Sequence, residues 1–273
     1  MRVRIPLLAA VLSLAGLVTA PAAGGTAAVL SHRPIVAVGA NQSNNWSGYN
    51  QGTLEKGGTL FHQVSGDWVV PTATAHKRGE AEYSSTWIGI GGGCVDANCI
   101  VTDSTLIQAG TEQDVDASGN ASYSAWWELI PAPGVTIDTL AVKAGDHVHV
   151  DIREAVANSE VWTFTFQNVT TGKSWTQTVP YSSTYGTAEW IEETPVVIDN
   201  SGNVSVGPLP SLSTVRLNNG QANSANPNLI SSEAIQLVDF NNVVLATPSA
   251  PDPDKNGFND CSYATSCAAP TSN

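Results

Sequence analysis

The segment Val161-Trp162-Thr163-Phe164-Thr165-Phe166-Gln167 indicates the fold class, because its apolar and polar residues alternate with a period of two. This alternation is typical of a β-strand with one buried face, and it places the three aromatic side chains together on that face. The turn residues Thr170-Thr171-Gly172-Lys173 follow and lead into a second alternating run over residues 174–179. The two runs therefore predict a β-hairpin.

The chain from residue 45 onward contains many more short runs of this kind, separated by Gly, Pro, Asn and Ser, and helical periodicity is nearly absent. A second hairpin is predicted between residues 234–240 and 243–246, through Asn241-Asn242. So many strands in one chain must close into a sandwich or a barrel to bury their apolar faces, so the sequence predicts an all-β domain. The other predicted strands cover residues 61–70, 85–90, 105–109, 122–130, 135–142, 147–153, 187–193 and 213–217.

The N-terminus indicates export. Two arginines precede an apolar run over residues 5–18 and a stretch of small residues, the order that is typical of a secretory signal peptide. The apolar run falls short of the roughly 20 residues that a membrane span needs. We therefore expect a secreted protein with a signal peptide over 1–23, a linker or short propeptide over 24–44, one domain over 45–248, and a tail over 249–273.

The composition of the chain limits the classes of partner that it can bind. The 273 residues carry a formal net charge of -13, and only 13% are charged, so we expect neither nucleic acid nor a membrane as a partner. The four cysteines form two close pairs that bracket turn-rich stretches, and an exported chain permits disulfides. Three pairings are possible, of which we expect Cys94–Cys99 and Cys261–Cys267. A four-cysteine metal site is disfavoured by the ligand spacing.

The sequence gives little support for a serine or cysteine hydrolase or for a metal site. The chain has five histidines but neither the Gly-x-Ser-x-Gly nor the Cys-Gly-Ser-Cys-Trp pattern, which argues against a serine or cysteine hydrolase. His147 and His149 would share one strand face, where they could bind a metal, although no third ligand is identifiable. The run 252–257 resembles the start of a calcium loop but lacks the closing glutamate, so a solvated turn is the preferred interpretation.

Carboxylates on strands are more informative. Three glutamates, Glu189, Glu192 and Glu193, lie within five residues of a segment that is predicted to form a strand. Burying a carboxylate costs free energy unless the group is paired or protonated. Strand parity places Glu189 and Glu193 on one face and Glu192 on the other. Gln108 lies in an apolar strand beside a glycine, where its amide could donate to an oxyanion while its carbonyl holds a water. Trp126 and Glu128 share a strand face in the same way.

Six segments together resemble the glutamic peptidases, or eqolisins, in the order and spacing of that family. They are Asn45-Trp46-Ser47-Gly48-Tyr49, Gly66-Asp67-Trp68-Val69-Val70-Pro71, Thr86-Trp87-Ile88-Gly89-Ile90-Gly91-Gly92, Leu106-Ile107-Gln108-Ala109-Gly110, Ala125-Trp126-Trp127-Glu128 and Ala188-Glu189-Trp190-Ile191-Glu192-Glu193. The resemblance implies a single-domain antiparallel β-sandwich of two bent sheets with a substrate groove on the concave face. It implies an acid endopeptidase in which Gln108 and Glu193 are catalytic, without cofactor or metal. Four further positions match residues that line the family's cleft: Trp46, Trp87, Trp126 and Glu128.

The resemblance also implies protein or peptide substrates, and we expect a monomer. Two features depart from fungal members, which often read Gly-Ile-Asp-Gly where this chain has Gly89-Ile90-Gly91-Gly92, and whose disulfides are placed differently. The rival interpretations are a glycoside hydrolase and a carbohydrate-binding module, because carboxylates and tryptophans in a sandwich groove also suit sugars. Neither rival explains why the glutamine strand and the Ala-Glu-Trp-Ile-x-Glu element occur together.

Overall fold

The computed structural model describes residues 29–198 and 204–271, so the predicted signal peptide lies outside the described residues. Secondary structure in these ranges is almost entirely β, and no helix there is long and apolar enough to cross a membrane. The elements are β1 (Val29–Ser31), β2 (Ala37–Gly39), β3 (Gln42–Ser43), β4 (Trp46–Gly52), β5 (Gln63–Val69), β6 (Ala73–Thr74), β7 (Ser85–Gly91), β8 (Leu106–Val115), β9 (Ala121–Leu129), β10 (Val135–Thr136), β11 (His147–Glu154), β12 (Val161–Asn168), β13 (Lys173–Pro180), β14 (Thr187–Glu193), β15 (Val196–Ile198), β16 (Val204–Val206), β17 (Ser211–Leu212), β18 (Val215–Ala222), a 3-10 turn (Ser231–Glu233), β19 (Ala234–Val238), β20 (Val244–Pro248) and β21 (Phe258–Ser262).

The strands form one long path that folds back on itself as two layers. One layer has the order β9-β8-β7-β14-β4, the other has the order β18-β5-β11-β12-β13, and β19, β20 and β21 connect them. Every strand pair within the two layers is antiparallel. The chain is therefore an antiparallel β-sandwich, as the sequence predicts.

The core lies between the two layers and is closed by tryptophans. The indole nitrogen of Trp68 donates to Thr111 Oγ1 at 3.0 Å, and that of Trp190 donates to the carbonyl of Ser65 at 2.9 Å, so each spans from one layer to the other. The buried aromatic faces of β12 pack into the same cluster. These cross-layer bonds satisfy the only polar atom of each indole, which permits full burial.

The predicted strands and hairpins are largely confirmed. β12 pairs with β13, β19 pairs with β20, and β14 has the predicted bounds. Both predicted disulfides, Cys94–Cys99 and Cys261–Cys267, are formed. Of the strand predicted over 135–142, only β10 is a strand, because the chain turns after it, where the amide of Leu140 bonds back to the carbonyl of Ile137.

Both ends of the described chain join the sandwich. Residues 249–273, predicted as a tail, contribute β21, which lies between β18 and β20. Residues 29–44, within the predicted linker or short propeptide, form β1, β2 and β3, and β1 pairs with β15. The latter segment brings His32 to the candidate site.

Candidate active site

The candidate site lies on the outer face of the layer β9-β8-β7-β14-β4, away from the main core. Strand register sets Gln108 opposite Gly89 on β7 and Glu128 on β9, and sets Glu193 opposite Trp46 on β4 and Ser85 on β7. The alternation of side chains puts Gln108 and Glu193 on the same face of this layer. The tryptophans of this face form a second apolar cluster, distinct from the core between the layers.

Glu193 is fully buried and carries hydrogen bonds on both carboxyl oxygens. Trp87 Nε1 donates to Oε2 at 2.8 Å, and His32 Nδ1 lies 2.9 Å from the same oxygen. The backbone amide of Arg33 donates to Oε1 at 3.4 Å. The burial of Glu193 thus arises in part from the N-terminal segment, which lies across it on the outer face of the layer.

Gln108 is also buried, and its amide is oriented by an acid. Its Nε2 donates to Glu128 Oε2 at 2.7 Å, while Gln108 Oε1 and Glu128 Oε1 have no hydrogen-bond partner among the described residues. Burial raises the pKa of Glu128 to about 7, and the charge of Glu193 acts in the same direction, whereas the charge of His32 opposes it. At acid pH Glu128 is therefore neutral.

The structure also brings the predicted cleft tryptophans together. Trp46 packs edge-on against Trp87 with ring centroids 4.9 Å apart. Trp126 donates from Nε1 to Ser85 Oγ at 3.0 Å, and its ring stacks on His32. The indole of Trp87 donates to Glu193 and extends toward Gly89, the residue paired with Gln108: a Cβ built on Gly89 would lie 3.0 Å from Trp87 Cζ3 and 3.2 Å from the Cβ of Gln108.

The three glutamates of β14 have separate environments. Glu192 points to the other face, where Thr86 Oγ1 donates to it at 2.6 Å, as strand parity predicts. Glu189 shares the face of Glu193 but lies level with Gln108, on the far side of Gly89. Both oxygens of Glu189 lack a partner among the described residues, and burial raises its pKa well above the ordinary range.

Two residues of the site are absent from the sequence predictions. His32 comes from the N-terminal segment, and its Nε2 lies 3.4 Å from Glu112 Oε1 on β8. Glu112 follows Gln108 by four residues, so strand parity could have placed it on the groove face. Nothing in the sequence signals His32, because its partners lie 80 and 161 residues further along the chain.

The alternative metal sites have ordinary explanations. His147 and His149 both contact Asp67, with His147 Nε2 3.3 Å from Asp67 Oδ2. Asp252 caps a turn by accepting from the amide of Asn256 at 3.1 Å. Across the ranges 29–198 and 204–271, no three His, Cys, Asp or Glu side chains are grouped to hold a metal ion.

Similar proteins of known structure share this architecture. Scytalido-glutamic peptidase with a transition state analog inhibitor matches with a TM-score of 0.59 at 19% identity, covering 80% of this chain and 98% of that one. SCP-B, a member of the eqolisin family solved in complex with the tripeptide Ala-Ile-His, matches with a TM-score of 0.54 at 20% identity, covering 81% and 98%. At these identities the likeness establishes the fold.

Sequence comparison establishes the family. Aspergillopepsin-2 of Aspergillus niger is 27% identical over 213 residues, which cover 70% of this chain and 68% of that protein. The sequence profile of the Peptidase A4 family matches residues 44–257, which include Gln108, Glu128 and Glu193. The chain therefore belongs to the Peptidase A4 family, the eqolisins, and is a glutamic endopeptidase.

Proposed function

We propose that the protein is a secreted endopeptidase active at acid pH, in which Glu193 is the general base and Gln108 stabilises the oxyanion. The observation that carries the proposal is the placement of both side chains on one face of one sheet, with the indole of Trp87 reaching from beside Gln108 to Glu193. The face also carries the tryptophans expected to bind an extended peptide.

The reaction follows from the donors and acceptors present. Glu193, as a carboxylate, takes a proton from a water, and the oxygen of that water bonds to the scissile carbonyl carbon while the carbonyl electrons move to oxygen. Gln108 Nε2 donates to the oxyanion that forms. The C–N bond then breaks as Glu193 returns its proton to the departing amine, so no covalent intermediate with the enzyme is needed.

The protonation state of Glu128 favours activity at acid pH. Because its pKa is raised to about 7 by burial, it carries no charge at acid pH and does not repel an oxyanion beside Gln108. As a neutral acid it can also donate its own proton in a hydrogen bond. When Glu128 ionises near pH 7, a negative charge lies within one hydrogen bond of the oxyanion donor, which opposes the transition state.

Secretion is supported by the N-terminal pattern of residues 1–23 and by the two disulfides, since such bonds persist outside the cytoplasm. Peptide substrates are supported by the family and by the tripeptide in the SCP-B complex. A glycoside hydrolase or carbohydrate-binding module finds no such support. Incubation at about pH 3 to 5 with denatured protein, and separately with plant and fungal polysaccharides, distinguishes these functions.

The dyad is tested by three glutamate-to-glutamine variants on the same strand, together with Gln108→Ala. Loss of an oxyanion donor costs roughly 2.7 to 4 kcal/mol, so Gln108→Ala should lose on the order of 100-fold or more in kcat. Glu193→Gln should lose more, because no base remains. Glu192→Gln, on the opposite face, is the matched control and should retain activity.

Glu189→Gln decides between the two glutamates of the groove face. Because Glu189 lies level with Gln108, it is the alternative base, and our proposal expects Glu189→Gln to keep most of the activity of the parent. Near-normal proteolysis by a folded Glu193→Gln variant would overturn the assignment. Abolished activity in a folded Glu189→Gln variant would move the base to that residue.

A further inference from the structure

The N-terminal segment lies along the candidate groove as a bound peptide would. The amide of Ile35 donates to the carbonyl of Gly92 at 2.9 Å, and the amide of Val36 donates to Asn45 Oδ1 at 2.8 Å. Upstream, Ser31 pairs with Val196, just beyond the end of β14. Residues 31–36 are thus held by backbone hydrogen bonds on several sides, the usual means of binding an extended chain.

His32 is the most deeply inserted polar side chain of this segment. Its ring is parallel to that of Trp126, with centroids 3.8 Å apart and an interplanar angle of 6°. Its two nitrogens face two carboxylates, Nδ1 at 2.9 Å from Glu193 and Nε2 at 3.4 Å from Glu112, and only 4% of the side chain is exposed. An aromatic face together with an acceptor at each nitrogen matches both the shape and the charge of an imidazolium.

The charges around the ring favour a cation. Burial lowers the pKa of His32, but Glu193 and Glu112 outweigh that effect and raise it to about 10. Glu128 and Asp114 lie on the same face of the sheet, and the charge of His32 lowers the pKa of each. The ring is therefore buried between Trp126 and two carboxylates, as a buried and charge-paired imidazolium requires.

The contacts leave the proposed base no free oxygen. Glu193 Oε2 is shared between Trp87 and His32, and Oε1 accepts from Arg33. Because no part of the Glu193 side chain is exposed with this segment in place, a substrate would have to displace the segment to reach it. The arrangement is therefore incompatible with turnover while residues 31–36 are in place.

We propose that Glu112, Trp126 and Glu193 form a subsite for a protonated imidazole, and that His32 occupies it as an intramolecular inhibitor that peptide substrates bearing histidine must displace. The inference rests on the proposed role of Glu193. The ligand of the subsite is a histidine side chain in an extended peptide, and residues 31–36 compete with that peptide for the site.

The first test measures turnover. His32→Ala removes the ring and both of its charge-assisted contacts, so kcat/KM on a small peptide substrate should rise at least about 10-fold. Val38→Ala is the matched control, because Val38 is exposed on β2 and lies outside residues 31–36. It should change kcat/KM by less than about 2-fold. An unchanged His32→Ala variant would refute the inhibitory role.

The second test measures binding without relying on activity. The synthetic peptide Val-Leu-Ser-His-Arg-Pro-Ile-Val, the sequence of residues 29–36, is titrated calorimetrically into full-length His32→Ala carrying Gln108→Ala, which slows cleavage of the probe. The same peptide with alanine for histidine should bind at least about 10-fold more weakly, and adding Glu112→Gln should weaken the parent peptide similarly. Equal affinities for the two peptides would overturn the subsite.

The two tests separate this inference from the proposed function. If Glu193→Gln retains activity but the peptide binds through its histidine, the assignment of the base fails and the subsite stands. If Glu193→Gln is inactive but the peptide binds without regard to histidine, the proposed function stands and the subsite is rejected.

Discussion

Replacing Asp260 by asparagine should remove a large part of the pH dependence of stability. Asp260 lies on β21, is 1% exposed, and accepts from Ser47 Oγ at 2.6 Å, while its Oδ1 has no partner among the described residues. Burial raises its pKa from the ordinary 3.8 to about 7. The folded chain therefore holds this carboxyl neutral over a range where the unfolded chain ionises it.

The sign follows from the direction of this pKa change. A carboxyl with a raised folded-state pKa contributes its full stability below the unfolded-state value and loses it as the pH rises through the folded-state value. Each pKa unit corresponds to about 1.36 kcal/mol, so Asp260 should cost the parent about 4 kcal/mol between about pH 4 and pH 8. Small domains have only about 5–15 kcal/mol in total, so this change is large. Asparagine has the same size and no charge at either pH, so the loss should disappear.

The measurement is urea unfolding at pH 4 and at pH 8, followed by tryptophan fluorescence, with Glu193→Gln in every chain to prevent self-digestion. The quantity compared is the difference in unfolding free energy between the two pH values, which should be about 4 kcal/mol smaller in Asp260→Asn than in the parent. Asp138→Asn removes an exposed carboxyl and should leave the difference unchanged. A difference that stays within about 1 kcal/mol of the parent in Asp260→Asn would refute the reasoning.

Three further changes probe the site and its support. Glu128→Gln mimics the neutral acid permanently, so kcat/KM should no longer fall as the pH rises through about 7; a fall identical to that of the parent contradicts this. Trp87→Phe removes the indole donor to Glu193, a bond worth about 1.5–3 kcal/mol, so kcat should drop roughly 10- to 100-fold in a variant that circular dichroism shows to be folded. Gly110→Ala would place a Cβ 2.5 Å from that of Trp87 and should destabilise the fold by at least about 3 kcal/mol in urea unfolding, whereas Gly39→Ala, with nothing within 4 Å, should not.

The strands could be predicted because the alternation of buried and exposed side chains along a strand is visible in a short stretch of sequence. Residues 161–168 alternate between buried and more exposed positions along β12, which is the alternation visible in the sequence. The same parity correctly separates Glu192 from the other two glutamates of β14. The strand predicted over 135–142 could not be corrected from sequence, because its apolar residues Ile137, Leu140 and Val142 are buried in a turn rather than in a pleat.

Register and long-range contact could not be predicted. The sequence predicts that Gln108 and Glu193 lie on strands. It does not predict which residue of β14 lies level with Gln108. The structure gives that position to Glu189, across Gly89. It also inserts β21 between two strands that precede it in sequence, where Asp260 meets Ser47 across 213 residues. Such pairings depend on the closure of the whole sandwich rather than on a local pattern.

The neighbouring residues Glu192 and Glu193 show that two buried carboxyl groups on one strand can have different hydrogen-bonding environments. Both are buried, so burial alone cannot distinguish them. Glu192 has a single donor, Thr86, and one oxygen without a partner among the described residues, and burial raises its pKa well above the ordinary range. Glu193 receives hydrogen bonds on both oxygens from Trp87 and the N-terminal segment. The proposed base is therefore distinguished by its place on the face that carries Gln108, where Trp87 still donates to it after the N-terminal segment is displaced.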